Sequence, residues 1–104
     1  MTERIEKLKT FLEKNPADNF IQHALALEYI KAGKPGEARL LFESLLRRDP
    51  AYTGSYYHLA GLLVELGERD EALNWYRKGM EAARVAGDDH AYRELAAAMG
   101  ELSD

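Results

Sequence analysis

A chain of 104 residues with no cysteine and a formal charge of −4 excludes several classes at once. Disulfides, thiolate chemistry and cysteine zinc sites are absent, and the scattered Lys and Arg form no stripe for a phosphate backbone, so nucleic acid is not an expected partner. With 46% apolar and 31% charged residues and no apolar run of about 18 or more, it reads as one helical domain outside membranes, suited to a reducing cytoplasm.

The chain spells six helices in order. Thr2 is placed to cap a first helix whose Ile5, Leu8, Phe11 and Leu12 recur at helical spacing, and Asn15-Pro16 stops it. Asp18 or Asn19 caps a second, running to about Ala32 and ending at Gly33, a residue suited to a left-handed C-terminal position. Lys34-Pro35-Gly36 reads as a tight turn. A third helix spans about Glu37 to Arg48, with Arg47 and Arg48 in the last turn, where cations favour the helix dipole. Asp49-Pro50 ends it. The fourth starts after Thr53 and closes at Gly67, the fifth runs from about Asp70 to Ala86, and Gly87-Asp88-Asp89 breaks the chain before a sixth from about His90 to Leu102. No strand pattern, linker or low-complexity segment is present.

A fixed offset of thirty-four residues organises these helices. It superposes Leu25 on Leu59, Ala26 on Ala60, Gly33 on Gly67, Glu37 on Glu71 and Ala38 on Ala72, and it keeps character at Ile30/Val64 and Phe42/Tyr76. A period of this size signals stacked supersecondary units. Advancing about 100° per residue, Gln22, Leu25, Ala26 and Tyr29 form one seam. Small Ala26 and Ala38 let paired helices approach closely, and Leu41, Phe42 and Leu45 fill space between repeats.

These residues resemble the tetratricopeptide repeat, with its pattern W-x2-L-G-x2-Y, A-x3-F, P. The first copy reads Gln22-x2-Leu25-Ala26-x2-Tyr29, Ala38-x3-Phe42, Pro50; the second reads Tyr56-x2-Leu59-Ala60-x2-Leu63, Ala72-x3-Tyr76, with Arg84 in the proline slot. The last helix repeats the opening half (Tyr92, Leu95, Ala96, Met99), and the first resembles a closing half with Leu8 and Pro16. The resemblance implies an all-α fold of antiparallel helix pairs stacked as a short right-handed superhelix. It divides one domain into a half repeat at 1–16, repeats at 19–52 and 53–86, and a capping helix at 88–102. Tyr56 to Tyr92 is two residues longer than the repeat, so the fifth helix should be extended. Arg4 stands where a closing half expects a small residue.

In proteins of this family the opening helices line a concave groove that holds peptides. The positions that would line it are Phe20, His23, Leu27 and Ile30, then Gly54, Tyr57, Gly61 and Val64, then His90, Arg93, Ala97 and Gly100, with His58 beside them. A bound peptide would bury Tyr57 and Leu27 around the small Gly61 and could pair an acidic group with Arg93. The plainer reading is that Phe20, Leu27 and Ile30 cover the core and that Gly61 fits a tight helix crossing. Outer-face positions such as Arg39 and Asn74 should take no part. Members that grip a carboxylate tail use lysine, asparagine and arginine, but the matching positions here are His23, Leu27, His58, His90 and Glu94, which argues against that mode. The three histidines come from three helices with no pair four apart. They suit an amphipathic or proton-sensitive surface better than a metal site, and no metal or cofactor is expected.

No catalytic motif occurs, and Glu65, Glu68, Asp70 and Glu71 cluster around a turn as a solvated acidic patch, so an enzyme is not expected. Two roles remain. One is a module binding a peptide segment of another protein. The other is a self-associating module, such as a homodimer, joined through apolar end surfaces (Ile5, Leu8 and Phe11; Leu95, Met99 and Leu102).

Overall fold

The computed structural model describes residues 2–103, with the side chains of Thr2 and Ser103 left outside the description, so the cap expected from Thr2 lies beyond it. The described residues form six helices and no strand: α1 Thr2–Lys14, α2 Asn19–Lys31, α3 Pro35–Arg48, α4 Gly54–Glu65, α5 Arg69–Ala86 and α6 Asp89–Ser103. They divide into two compact units, Met1–Arg48 and Asp49–Asp104.

Helix ends follow local chemistry. Asp18 caps α2 by accepting from the Ile21 amide at 3.0 Å, and Asp88 does the same for α6 through the Ala91 amide at 3.0 Å. Thr53 makes no such bond. Three helices end in one motif. Gly33, Gly67 and Gly87 have φ of 73°, 80° and 71°, a left-handed conformation that costs glycine little. At each, the glycine and the next residue donate backwards: Gly33 to Ile30 and Lys34 to Tyr29, Gly67 to Val64 and Glu68 to Leu63, Gly87 to Arg84 and Asp88 to Ala83. This paired closure satisfies carbonyls that would otherwise be orphaned.

Two boundaries differ from expectation. Lys34-Pro35-Gly36 is not a free-standing turn, because α3 already begins at Pro35. A helix has no use for the amide of its first residue, so proline is well placed there. Asp89 belongs to α6 rather than to the break before it. The extension expected of the fifth helix is present, since α5 has 18 residues against 14 in α3.

In the first unit α2 packs between α1 and α3. Leu25, Ala26, Tyr29, Ala38, Phe42, Leu45 and Leu46 are buried, joined by Ile5 from α1. Gln22, in the slot where the repeat pattern has tryptophan, is a buried polar residue with both ends satisfied. Its Nε2 donates to the Leu41 carbonyl at 2.8 Å and its Oε1 accepts from Arg48 at 3.0 Å. Arg48 also donates to the Asn19 side chain. A second buried polar residue, Glu28, is ion-paired with Arg4 of α1 at 3.1 Å and with Lys31 at 3.3 Å. Arg4 therefore ties α1 to α2.

In the second unit α5 packs on both α4 and α6. Its core contains Tyr56, Leu59, Ala60, Leu62, Leu63, Ala72, Leu73, Tyr76, Ala83 and Leu95. Gly79, inside α5, is buried where α5 passes α4 and α6: a Cβ there would lie 2.6 Å from Tyr56 Cβ and 3.0 Å from Leu95 Cδ1. The Tyr56 hydroxyl donates to the Pro50 carbonyl at 2.6 Å. Burial, with some help from Asp49, raises its pKa.

The expected end surfaces are only partly apolar. Ile5 and Leu95 are turned inward, Leu8, Met99 and Leu102 are half-buried, and Phe11 is 56% exposed. Arg39 is not a plain outer-face residue either, being half-buried and paired with Glu43 at 3.1 Å.

Candidate functional site

Each opening helix spends one side on the core, which leaves the opposite side outside. On α2 the buried side is Gln22, Leu25, Ala26 and Tyr29. Away from it, Phe20 is 75% exposed, and His23, Leu27 and Ile30 are half-buried. His23 is not free to reach outward without loss: its ring meets the core Phe42 edge-on at 5.5 Å.

On α4 the buried side includes Tyr56, Leu59, Ala60 and Leu63. Tyr57 and Val64 are exposed, at 39% and 38%, and His58 and Gly54 are exposed beside them. The Tyr57 and His58 rings meet edge-on at 5.8 Å. Gly61 is half-buried, yet a Cβ placed on it would meet nothing within 4 Å. Its role is therefore not the tight helix crossing, which belongs to Gly79.

On α6 the residues His90, Arg93, Ala97 and Gly100 are all exposed. Tyr92, expected in the seam, is 38% exposed and leaves Leu95 as the buried anchor of the helix. Glu94 sits 3.8 Å from His90, and its charge is also felt by His58 on α4. Desolvation lowers the His58 pKa, and the Glu94 carboxylate acts in the opposite direction. Among the described residues no three histidines or carboxylates gather in a metal-holding arrangement.

Sequence reasoning missed the Gln22–Arg48 and Glu28–Arg4 pairings and the part played by Gly79. A signal existed for the last, because glycine inside a helix is costly and calls for a packing reason.

These helical pairs, each burying one seam and turning between its helices on a left-handed glycine, define a helical-repeat protein with no strand among the described residues. The tetratricopeptide repeat profile matches residues 29–99. A tetratricopeptide repeat domain protein from Salinibacter ruber, solved in solution, is 39% identical. The match covers 84% of this chain and 88% of that one, with a TM-score of 0.80. Its crystal structure gives 38% identity, 83% and 96% coverage and a TM-score of 0.79. The Sgt2 TPR domain from Aspergillus fumigatus, at 22% identity, shares the fold over 98% of this chain and 68% of that one, with a TM-score of 0.80. No curated protein matches the chain. The chain belongs to the tetratricopeptide repeat family, whose members are in general non-catalytic protein–protein interaction modules. No described helix is long and apolar enough to cross a membrane.

Proposed function

We propose that this chain is an adaptor that holds a peptide segment of a partner protein, in a cytoplasmic setting, against the outward strip of the opening helices α4 and α6 in the second unit. One observation carries the reading: Tyr57 and Val64 expose large apolar side chains on that strip while the opposite side of α4 is used by the core. Large apolar side chains left exposed together on one helix face are a mark of binding sites. Gly61 adds open space beside Tyr57 that a partner's side chain can fill.

The test is a set of variants carried through one binding assay with a partner isolated from the source cell. Tyr57→Ala should abolish recovery of the partner, since truncating a binding hot spot costs about 2 kcal/mol or more. Gly61→Leu should block binding without unfolding the chain, and Asn74→Ala on the exposed side of α5 should be silent. Loss of binding with Asn74→Ala but not with Tyr57→Ala would sink the reading.

Self-association through the end helices is the competing reading. It draws on the shallow hollow along α1 lined by Glu6, Lys7, Thr10, Phe11 and Lys14, but the inward Ile5 and Leu95 remove two of its anchors. Sedimentation across a concentration range decides it: a constant monomer mass excludes it, and a mass that grows and returns to monomer with Phe11→Ser supports it.

A further inference from the structure

The charge along the chain is one-sided. Residues 49–104 carry eleven Asp and Glu against five Lys and Arg, whereas residues 1–48 carry seven against nine. Within the second unit three of the five cations are already engaged, one of them at the C-terminal end of α6. Arg69 donates to the Leu102 carbonyl at 3.2 Å, Lys78 lies 4.6 Å over the Trp75 ring, and Arg84 is held by Glu81 on α5. No Lys or Arg occurs on α4, and α6 sets exposed Asp89, Glu94 and Glu101 against the single Arg93.

The carboxylates are not a separate acidic patch, because they border the apolar strip. Glu94 reaches His90 on its own helix and acts on His58, whose ring meets Tyr57. Glu101 and Tyr57 both act on Tyr76. Exposed Tyr57 and Val64, with the open space at Gly61, thus lie among negative charges. A segment carrying Asp or Glu would meet three carboxylates for one guanidinium, and like-charge juxtaposition disfavours such partners strongly.

Resting on the peptide-binding reading above, we infer that the α4 and α6 strips of the second unit take a basic segment, one with Lys or Arg beside an aliphatic or aromatic residue. The apolar side chain lies against Tyr57 and Val64 over Gly61, and the cation faces Glu94 and Glu101. This reverses the pairing of an acidic group with Arg93 that the sequence suggests. Arg93 then acts against wrong partners less than the carboxylates do, and the field of the unit, more than any one contact, sorts ligands by charge.

The experiment uses the full chain and fluorescein-labelled synthetic peptides in matched pairs. The two members of a pair share their apolar residues and differ only in Lys/Arg against Asp/Glu. Anisotropy titrations at low and high salt should show the basic member binding about tenfold tighter or more, with the margin shrinking as salt screens it. The double variant Glu94→Lys, Glu101→Lys should erase or invert that preference, while Gly61→Leu should remove binding of both members. Tighter binding of the acidic member, still blocked by Gly61→Leu, overturns the charge inference and leaves the peptide strip standing. A basic preference untouched by both the charge reversal and Gly61→Leu places the site elsewhere and overturns both. Failure of every pair to bind overturns the inference, as does concentration-dependent self-association abolished by Glu94→Lys, which would make the occupant a second copy.

Discussion

Gly61 and Gly79 occupy the interiors of neighbouring helices, and replacing each with alanine should move stability in opposite directions. At position 79 a methyl group would lie 2.6 Å from Tyr56 Cβ, 2.9 Å from Tyr56 Cγ and 3.0 Å from Leu95 Cδ1. The first of these is the root of a side chain and cannot swing away. The far end of Tyr56 is fixed as well, by its bond to the Pro50 carbonyl at 2.6 Å and its contact with the Trp75 ring at 6.1 Å. Alanine gains about 1 kcal/mol over glycine in a helix interior, but overpacking costs about 1–3 kcal/mol, and a contact this short against a rigid atom belongs at the upper end. The net loss should be about 2 kcal/mol, or roughly 10 °C in melting temperature for a domain of this size. At position 61 nothing lies within 4 Å and the backbone is ordinary helix, so the propensity gain of about 1 kcal/mol is kept. Thermal melts followed by circular dichroism, backed by urea titrations, read both. If Gly79→Ala melts no lower than the parent, α5 does not pass α4 as closely as described and the packing argument fails.

Ala38→Leu and Ala72→Leu, both at fully buried positions, should each lower stability by about 1–3 kcal/mol in the same melts. Gln22→Leu should cost about 1–3 kcal/mol because it leaves the Leu41 carbonyl and the Arg48 guanidinium short of a partner; a urea midpoint equal to the parent's would show that water replaces it freely. Desolvation raises the Glu28 pKa, but the hydrogen bonds from Lys31 and Arg4 outweigh it and the net shift is downward. A depressed carboxylate contributes stability that is complete above its unfolded value and is lost as pH falls through its folded value. The difference in urea midpoint between the parent and Glu28→Gln should therefore be largest near neutral pH and close in acid. For His58, whose pKa is also lowered, stability should be present above the ordinary imidazole value and fall below it; a His58→Gln chain should show a flatter profile between pH 7 and pH 5 on the imidazole scale.

Much of the fold was legible because it is periodic. The superposition of Leu25 on Leu59 and of Ala38 on Ala72 marks equivalent environments, and each of these residues is buried. Stops were readable where one residue decides them, as at Pro16, Pro50 and the three glycines with positive φ. Pro35 was misread because proline serves equally in a turn and at a helix start, and only the path of the neighbouring chain distinguishes the two. The outward strips were legible as faces, since helical spacing that puts Leu59 inside leaves Tyr57 and Gly61 outside. The pairing of particular polar side chains was not, because Gln22 with Arg48 and Glu28 with Arg4 join residues 26 and 24 apart in sequence, and no local pattern records such distances. Gly61 and Gly79 look alike in sequence, and only the neighbours that crowd one and spare the other separate them.

The attachment of α1 rests on few contacts. It contributes one buried apolar side chain, Ile5, to the first unit, together with Arg4 on Glu28 and Lys9 lying 5.9 Å over the Tyr29 ring. Much of that joint is charge, and charge is reversible in a way that a packed seam is not. Elements with few buried contacts open locally at less than the global cost, so amide hydrogens in α1 should exchange with solvent well before those of α2 and α3. Protonating Glu28 weakens the joint further and uncovers the side of α2 that carries Glu28 and Tyr29. A protease acting in acid below the ordinary carboxylate range would then find the stretch from Lys14 to Asp18 first, and what it leaves behind is a chain opening on the α2–α3 hairpin with its Gln22–Arg48 link intact.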